Sequence, residues 1–182
     1  MVTLLTGLFW AAAGGLNPFL PLLFASVLAR FTGRFHPVPR YAFLGEAWFV
    51  ALAGILLLSE LFLDKIYLPG ESLGVPARER DRKKWVGALH DLVQMLLGPL
   101  GGALILGACD RVLPAAWFLI APMLGALVAG AAYAAKRALR QRLVLRWAAP
   151  LRPLGNLFLS TIGDLIAALA CVAGLVIGVF GS

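Results

Sequence analysis

The sequence predicts an all-α protein that crosses a membrane several times. Of its 182 residues, 61% are hydrophobic and only 14% are charged, whereas about a quarter of the residues in a soluble domain are charged. Five apolar runs are each close to or above the roughly 20 residues that span a bilayer. None of them alternates between apolar and polar residues, as the strands of a membrane barrel do. We therefore expect one membrane domain, residues 1–182, that forms a bundle of about five hydrophobic helices.

Each apolar run is interpreted as one membrane-spanning helix. All Lys and Arg residues fall between these runs or at their ends, which is typical of a polytopic membrane protein. The expected spans are residues 4–28, 42–63, 85–108, 113–135 and 154–180.

The first run is expected to be a broken helix. Its segment Gly14-Gly15-Leu16-Asn17-Pro18 combines two glycines, which weaken a helix, with a proline, which removes a backbone donor. Backbone groups that are freed at membrane depth need partners, and the Asn17 side chain can supply them. Whether the chain then continues across the bilayer or re-enters towards its starting side stays open at the level of sequence.

A polar stripe in the fifth run is the strongest functional signal. Asn156, Ser160 and Asp164 recur every four residues and therefore share one face of a helix. Asp164 lies ten residues beyond Leu154, which is about 15 Å along a helix and close to the middle of the hydrocarbon core. A carboxyl group at that depth must be protonated, paired or exposed to water. We expect Asp164 inside the bundle, either as a proton or cation site or as the structural partner of a cation such as Lys65, Lys136 or His90.

The distribution of positive charge predicts the orientation. The second and fourth loops carry six Lys or Arg residues each, the first carries three and the third carries one. Because positive residues collect on the cytoplasmic side, five crossings would place the N-terminus in the cytoplasm, in the inner (plasma) membrane of the cell. Basic loops next to anionic lipid headgroups explain the net charge of +7, so the lipid bilayer is the expected partner and nucleic acid is not.

Several segments, taken in order, resemble a family of small bacterial integral membrane proteins known only as a domain of unknown function, DUF4126. The similarity lies in Gly15-Leu16-Asn17-Pro18-Phe19-Leu20, Asp64-Lys65-Ile66, His90, Gly98-Pro99-Leu100-Gly101-Gly102-Ala103-Leu104, Ala134-Ala135-Lys136, the stretch from Asn156 to Ser160, and Asp164. The chain departs from the family pattern in having Tyr67 after the Asp-Lys-Ile segment, Tyr133 in place of a histidine and Gly163 in place of an acid, and residues 69–84 look inserted.

The resemblance implies that the matching polar residues meet in one interior site. Together with the polar stripe, it gives the candidate site residues Asn17, Asp64, Lys65, His90, Lys136, Asn156, Ser160 and Asp164.

Two kinds of function fit these residues. The first is a small transporter or channel-like protein, expected to form a homo-oligomer, in which Asp164 and Asn156 line a polar path with Asn17 at the helix break. The alternative is a non-transporting membrane scaffold or assembly subunit. The sequence contains no recognisable nucleophile and base, phosphate loop or metal-ligand cluster, so we do not expect an enzyme, a cofactor or a metal site.

Overall fold

A computed structural model describes residues 4–63, 77–109, 119–144 and 152–180 of the chain. Every regular element in these ranges is helical, which confirms the predicted all-α class. The elements are α1 (Leu4–Leu16), α2 (Phe19–Val27), a π-helical turn (Leu28–Thr32), a 3-10 helix (Pro39–Gly45), α3 (Ala47–Phe62), α4 (Ala77–Cys109), α5 (Ile120–Val144) and α6 (Arg152–Phe180).

Two of the described helices are long and apolar enough to cross a membrane. These candidate spans are Trp85–Cys109 in α4 and Leu157–Gly178 in α6. The 3-10 helix and α3 together make a third candidate, although the chain bends by 63° between them. The described helices therefore agree with a membrane protein, while the total number of crossings stays a prediction.

Helices α4 and α5 both extend beyond the spans that the sequence predicted. Helix α4 begins at Ala77, before the first residue of the predicted span 85–108, and therefore includes the basic stretch that precedes Trp85. Helix α5 continues to Val144, beyond the end of the predicted span 113–135. The basic residues at these two places are thus part of long helices and do not form separate loops.

Helices α1 and α2 form a hairpin that turns at Asn17 and Pro18. The ring of Trp10 in α1 packs edge-to-face on Phe24 in α2, with 5.7 Å between the ring centroids. It packs in the same way on Phe35, at 5.4 Å. In one continuous helix, residues 10 and 24 would lie about 21 Å apart. The first apolar run therefore turns back within the bundle. Of the two courses left open by the sequence, crossing the bilayer or re-entering towards the starting side, the chain takes the re-entrant one.

Helix α1 is the central element of the bundle, in contact with α4, α5 and α6 as well as α2. It runs antiparallel to α6 and is connected to it by three hydrogen bonds from α1 and the turn. They join Thr6 Oγ1 to the Gly174 carbonyl (2.8 Å), Trp10 Nε1 to the Cys171 carbonyl (2.9 Å) and Asn17 Nδ2 to Asp164 Oδ1 (3.0 Å).

Glycines allow α1, α4 and α5 to approach until their backbones touch. A Cβ atom on Gly15 would collide with the carbonyl oxygen of Ala129 in α5. Gly102 in α4 and Gly125 in α5 face each other, and a Cβ atom on either would overlap the carbonyl oxygen of the other. Such small residues let helices pack closely where the surrounding solvent is lipid.

The turn of the hairpin lies about halfway along the bundle. A Cβ atom on Gly101 in α4 would lie 3.2 Å from the carbonyl oxygen of Pro18, about two-thirds of the way along the candidate span Trp85–Cys109. Asn17 bonds to Asp164, one-third of the way along the candidate span Leu157–Gly178. The hairpin therefore fills only one half of the bundle. We call the other half of the bundle the polar half. It is formed by the end of α3, the part of α4 before Gly98, the end of α5 and the part of α6 before Asp164.

Candidate functional site at the tip of the helical hairpin

Asn17 closes the break between α1 and α2. Its Oδ1 accepts hydrogen bonds from the backbone N–H groups of Phe19 (3.1 Å) and Leu20 (3.0 Å). These donors belong to the first turn of α2, where a helix has no internal acceptors for them. The Asn17 N–H group bonds to the Ala13 carbonyl at 2.9 Å, and the residue is only 1% exposed. A buried chain reversal is thereby satisfied by one side chain.

The same side chain connects the turn to α6. Asn17 Nδ2 donates a hydrogen bond of 3.0 Å to Asp164 Oδ1. Asp164 lies seven residues into the candidate span Leu157–Gly178 and is half-buried. The carboxyl group is therefore held inside the bundle at the depth of the hairpin turn.

Lys136 reaches the turn from α5. Its Nζ donates a hydrogen bond to the carbonyl oxygen of Leu16, the last residue of α1. A positive charge is favourable there, because the C-terminal end of a helix carries a partial negative charge. A Cβ atom on Gly163 would lie 3.5 Å from Lys136 Cε, so the lysine stem passes directly over α6 beside Asp164. We call Leu16, Asn17, Lys136 and Asp164 the hairpin-tip site.

The structure brings three of the predicted site residues together and places others nearby. Asn17, Lys136 and Asp164 meet at the hairpin tip, and Ser160 is completely buried one turn earlier on α6. His90 lies on α4 in the polar half and is half-buried. Of the other predicted site residues, Asp64 and Lys65 lie outside the described residues, and Asn156 is described only as part of the backbone of α6.

Sequence reasoning missed a second buried polar contact, between α3 and α4. Gln94 Nε2 donates a hydrogen bond to Glu60 Oε1, and the two residues are only 9% and 5% exposed. Glu60 lies three residues before the end of the predicted span 42–63. From the sequence alone, that position suggests a side chain in contact with water at the membrane surface. The signal that could have revealed the pairing is that a Gln and a Glu both occur within otherwise apolar runs.

Leu16 was also missed, because it takes part through its backbone carbonyl and its side chain gives no signal. The hairpin-tip site thus places a carboxyl group and an ammonium group beside the adjoining ends of two helices. Within the described ranges, no three His, Cys, Asp or Glu residues come together as metal ligands would.

This fold and site define a class of helical membrane protein in which an apolar hairpin turns back halfway through the bundle. The family model described as Domain of unknown function (DUF4126) matches residues 4–72, a range that contains the hairpin and α3. Over these residues the match confirms the resemblance to that family inferred from the sequence, whereas the similar segments from His90 to Asp164 lie outside the matched range. No curated protein and no solved structure matches the chain.

Proposed function

We propose that this protein is a small transporter or channel-like protein whose polar path leads through the polar half to the hairpin-tip site. The observation that carries the proposal is the hydrogen bond between Asn17 and Asp164 at the turn of the hairpin. Ionisable groups at mid-membrane depth are functional candidates by default. Interrupted helices are also the usual borders of substrate sites in transporters.

The arrangement of the two halves supports a path that approaches from one side. The hairpin, whose own buried polar residues are Thr6 and Ser26, occupies the bundle on one side of the tip. Several polar side chains of the other helices lie on the opposite side. They include Ser160 on α6, His90 on α4, and Glu60 with Gln94 between α3 and α4. A solute that enters through the polar half would therefore reach Asp164 before it meets the hairpin. The hairpin would be the remaining barrier to crossing.

The basic ends of α4 and α5 orient this path. Both lie at the open end of the polar half, and positive residues collect in the cytoplasm, so we propose that the polar half faces the cytoplasm. Because α2 returns beside α1, the N-terminus is then on the non-cytoplasmic side, opposite to the orientation expected from five crossings. Residues such as Arg137, Arg140 and Arg142 would contact anionic lipid headgroups.

Flux measurements in liposomes test the proposal. The full-length protein is reconstituted, and proton and monovalent cation fluxes are compared with those of Asp164→Asn. This substitution keeps an oxygen that can accept the Asn17 hydrogen bond and removes only the ionisable group. We expect native flux well above that of empty liposomes, and its loss in the variant.

Asp91→Asn is the matched control, because Asp91 is an exposed carboxylate on α4 in the same half of the bundle. It should leave the flux unchanged. Equal flux in the native protein and in folded Asp164→Asn would overturn the role of Asp164, and no flux from the folded native protein would overturn transport.

A scaffold or assembly subunit is the second candidate, and one observation favours it. Asn17 uses its amide oxygen on α2 and its amide nitrogen on Asp164, so the polar groups at the tip satisfy a break in the chain. In this reading, a stoichiometric partner copurifies in gentle detergent or the protein forms a defined homo-oligomer, and neither depends on the charge of Asp164.

A further inference from the structure

We propose that the hairpin-tip site is a binding site for one monovalent cation, and that the ammonium group of Lys136 fills it in this structure. A small inorganic cation such as Na⁺, K⁺ or Li⁺ would bind in its place once the ammonium group is removed. This inference deepens the proposed function by naming a monovalent cation as the class of substrate, and its meaning for transport rests on that proposal. In the native protein a transported cation would have to displace the Lys136 ammonium group from the Leu16 carbonyl.

The site offers the ligands that such a cation requires. The last carbonyl groups of a helix have no partners within the helix and carry its partial negative charge. Leu16 provides the last carbonyl of α1, and Asp164 provides a carboxylate at the same turn. Unwound backbone carbonyls and the C-terminal ends of half-helices are the groups that coordinate Na⁺ in transporters with interrupted helices.

Asn17 determines the polarity of the turn. Its Oδ1 is directed to the N–H groups of α2, so the partial positive end of α2 is covered by a side-chain oxygen. Its Nδ2 holds the Asp164 carboxyl group beside the end of α1. The turn therefore presents negative potential from α1 and Asp164 while the opposing potential of α2 is reduced.

Lys136 places one positive charge in the site. Its Nζ lies within hydrogen-bonding distance of the Leu16 carbonyl. It also lies 3.9 Å from where a Cβ atom on Gly163 would be, which places it next to the residue that precedes Asp164. An ammonium group and a dehydrated alkali cation carry the same charge and both require surrounding oxygen atoms. One carboxylate balances one such charge, which favours a monovalent over a divalent ion.

Replacement of Lys136 by Met tests the inference, because Met keeps an unbranched stem of similar length and has no charge. The thermal midpoint Tm of the full chain is measured in detergent while choline chloride is exchanged for NaCl, KCl or LiCl at constant ionic strength. We expect the native protein to show no difference between these salts. The variant should melt lower in choline and regain about 5 °C or more in at least one alkali salt at about 100 times its Kd.

The double variant Lys136→Met with Asp164→Asn tests whether the Asp164 carboxylate binds the cation. Without that carboxylate, the rise in Tm in alkali salts should be lost. If the single variant does not stay folded in choline, the yield of monodisperse protein extracted in each salt replaces Tm, and recovery in an alkali salt supports the site. The inference would be overturned if Lys136→Met had the same Tm, or the same loss of monodisperse protein, in all four salts. It would also be overturned if the double variant kept the full rise in Tm in alkali salts.

Binding in detergent and flux in liposomes fail independently. A salt-specific gain without flux from the native protein would support the cation site and overturn only transport. Flux from the native protein without any salt-specific gain in Lys136→Met would overturn the cation site and leave transport in place.

Discussion

At the scale of single residues, Asn17 makes the hairpin turn possible. It is one of the two residues between helices that run in opposite directions, and it is nearly inaccessible to solvent. A chain reversal in an apolar interior exposes backbone groups that water would otherwise satisfy. Asn can accept and donate at the same time, and both capacities are used here.

Replacing Asn17 by Ala should therefore destabilise the protein. The first turn of α2 loses its side-chain acceptor and Asp164 loses a buried donor, which together cost about 2 to 4 kcal/mol. We expect Tm, followed by circular dichroism in detergent, to fall by about 5 to 10 °C.

The matched control is Thr161→Ala on α6, because the exposed Thr161 hydroxyl bonds only within its own helix, to the Leu157 carbonyl. Its effect should stay within about 0.5 kcal/mol, as for other surface changes. A variant Asn17→Ala as stable as Thr161→Ala would contradict the role assigned to the side chain.

Trp10 is the largest buried residue on α1, and it packs on Phe24 in α2 and on Phe35 in the segment that follows the hairpin. Trp10→Phe should lose the hydrogen bond from Nε1 to the Cys171 carbonyl at a cost of about 1 to 2 kcal/mol. Trp10→Ala should cost about 3 to 5 kcal/mol, because a large cavity is left as well. Trp48→Ala, at a residue that is 58% exposed, is the control and should change Tm far less under the same conditions.

At the scale of helices, the contacts of α5 with α1 and with α4 depend on the absence of side chains. Gly15 faces the Ala129 carbonyl, and Gly102 faces Gly125. A backbone carbonyl cannot move aside as the end of a flexible side chain can, so any Cβ atom at these positions forces the helices apart.

Gly15→Ala should consequently reduce stability by about 1 to 3 kcal/mol or more, as overpacked cores do. Gly54→Ala on α3 is the matched control, because nothing lies within 4 Å of the Cβ atom that it adds. That change should stabilise the protein by about 0.5 to 1 kcal/mol, since Ala is the better helix former. The two Tm shifts are thus expected to have opposite signs, and equal shifts would show that the close contact between α1 and α5 is not required.

At the scale of the whole molecule, the hairpin decides which chain segments share a side. The N–H group of Val38 bonds to the carbonyl oxygen of Ala108, and a Cβ atom on Gly7 would lie 3.1 Å from Cβ of Cys109. The start of α1 and the segment after α2 therefore both lie at the end of α4. The open end of the polar half is opposite to them.

Labelling of introduced cysteines in intact cells tests this topology. A cysteine added ahead of Met1 and one at Arg34→Cys should react with a membrane-impermeant thiol reagent from the same side. Arg142→Cys should react only after the cytoplasmic side is opened, given the proposed orientation. The native Cys109 and Cys171 are buried and serve as the unreactive background. Reaction of the N-terminal cysteine and Arg34→Cys from opposite sides would contradict the hairpin.

Among the features that the sequence by itself determined are the helical class, the break in the first apolar run and the interior position of Asp164. The physical reason is local: apolar length, a proline without an N–H group, and the cost of a carboxyl group at mid-depth are properties of the chain at each position. Only the tertiary structure decided that the chain turns back at Asn17, that Lys136 reaches the Leu16 carbonyl, and that Glu60 pairs with Gln94. These facts depend on contacts between residues far apart in sequence, such as Trp10 with Phe24 and Gly15 with Ala129, and a glycine or a proline permits a break without specifying the direction in which the chain continues.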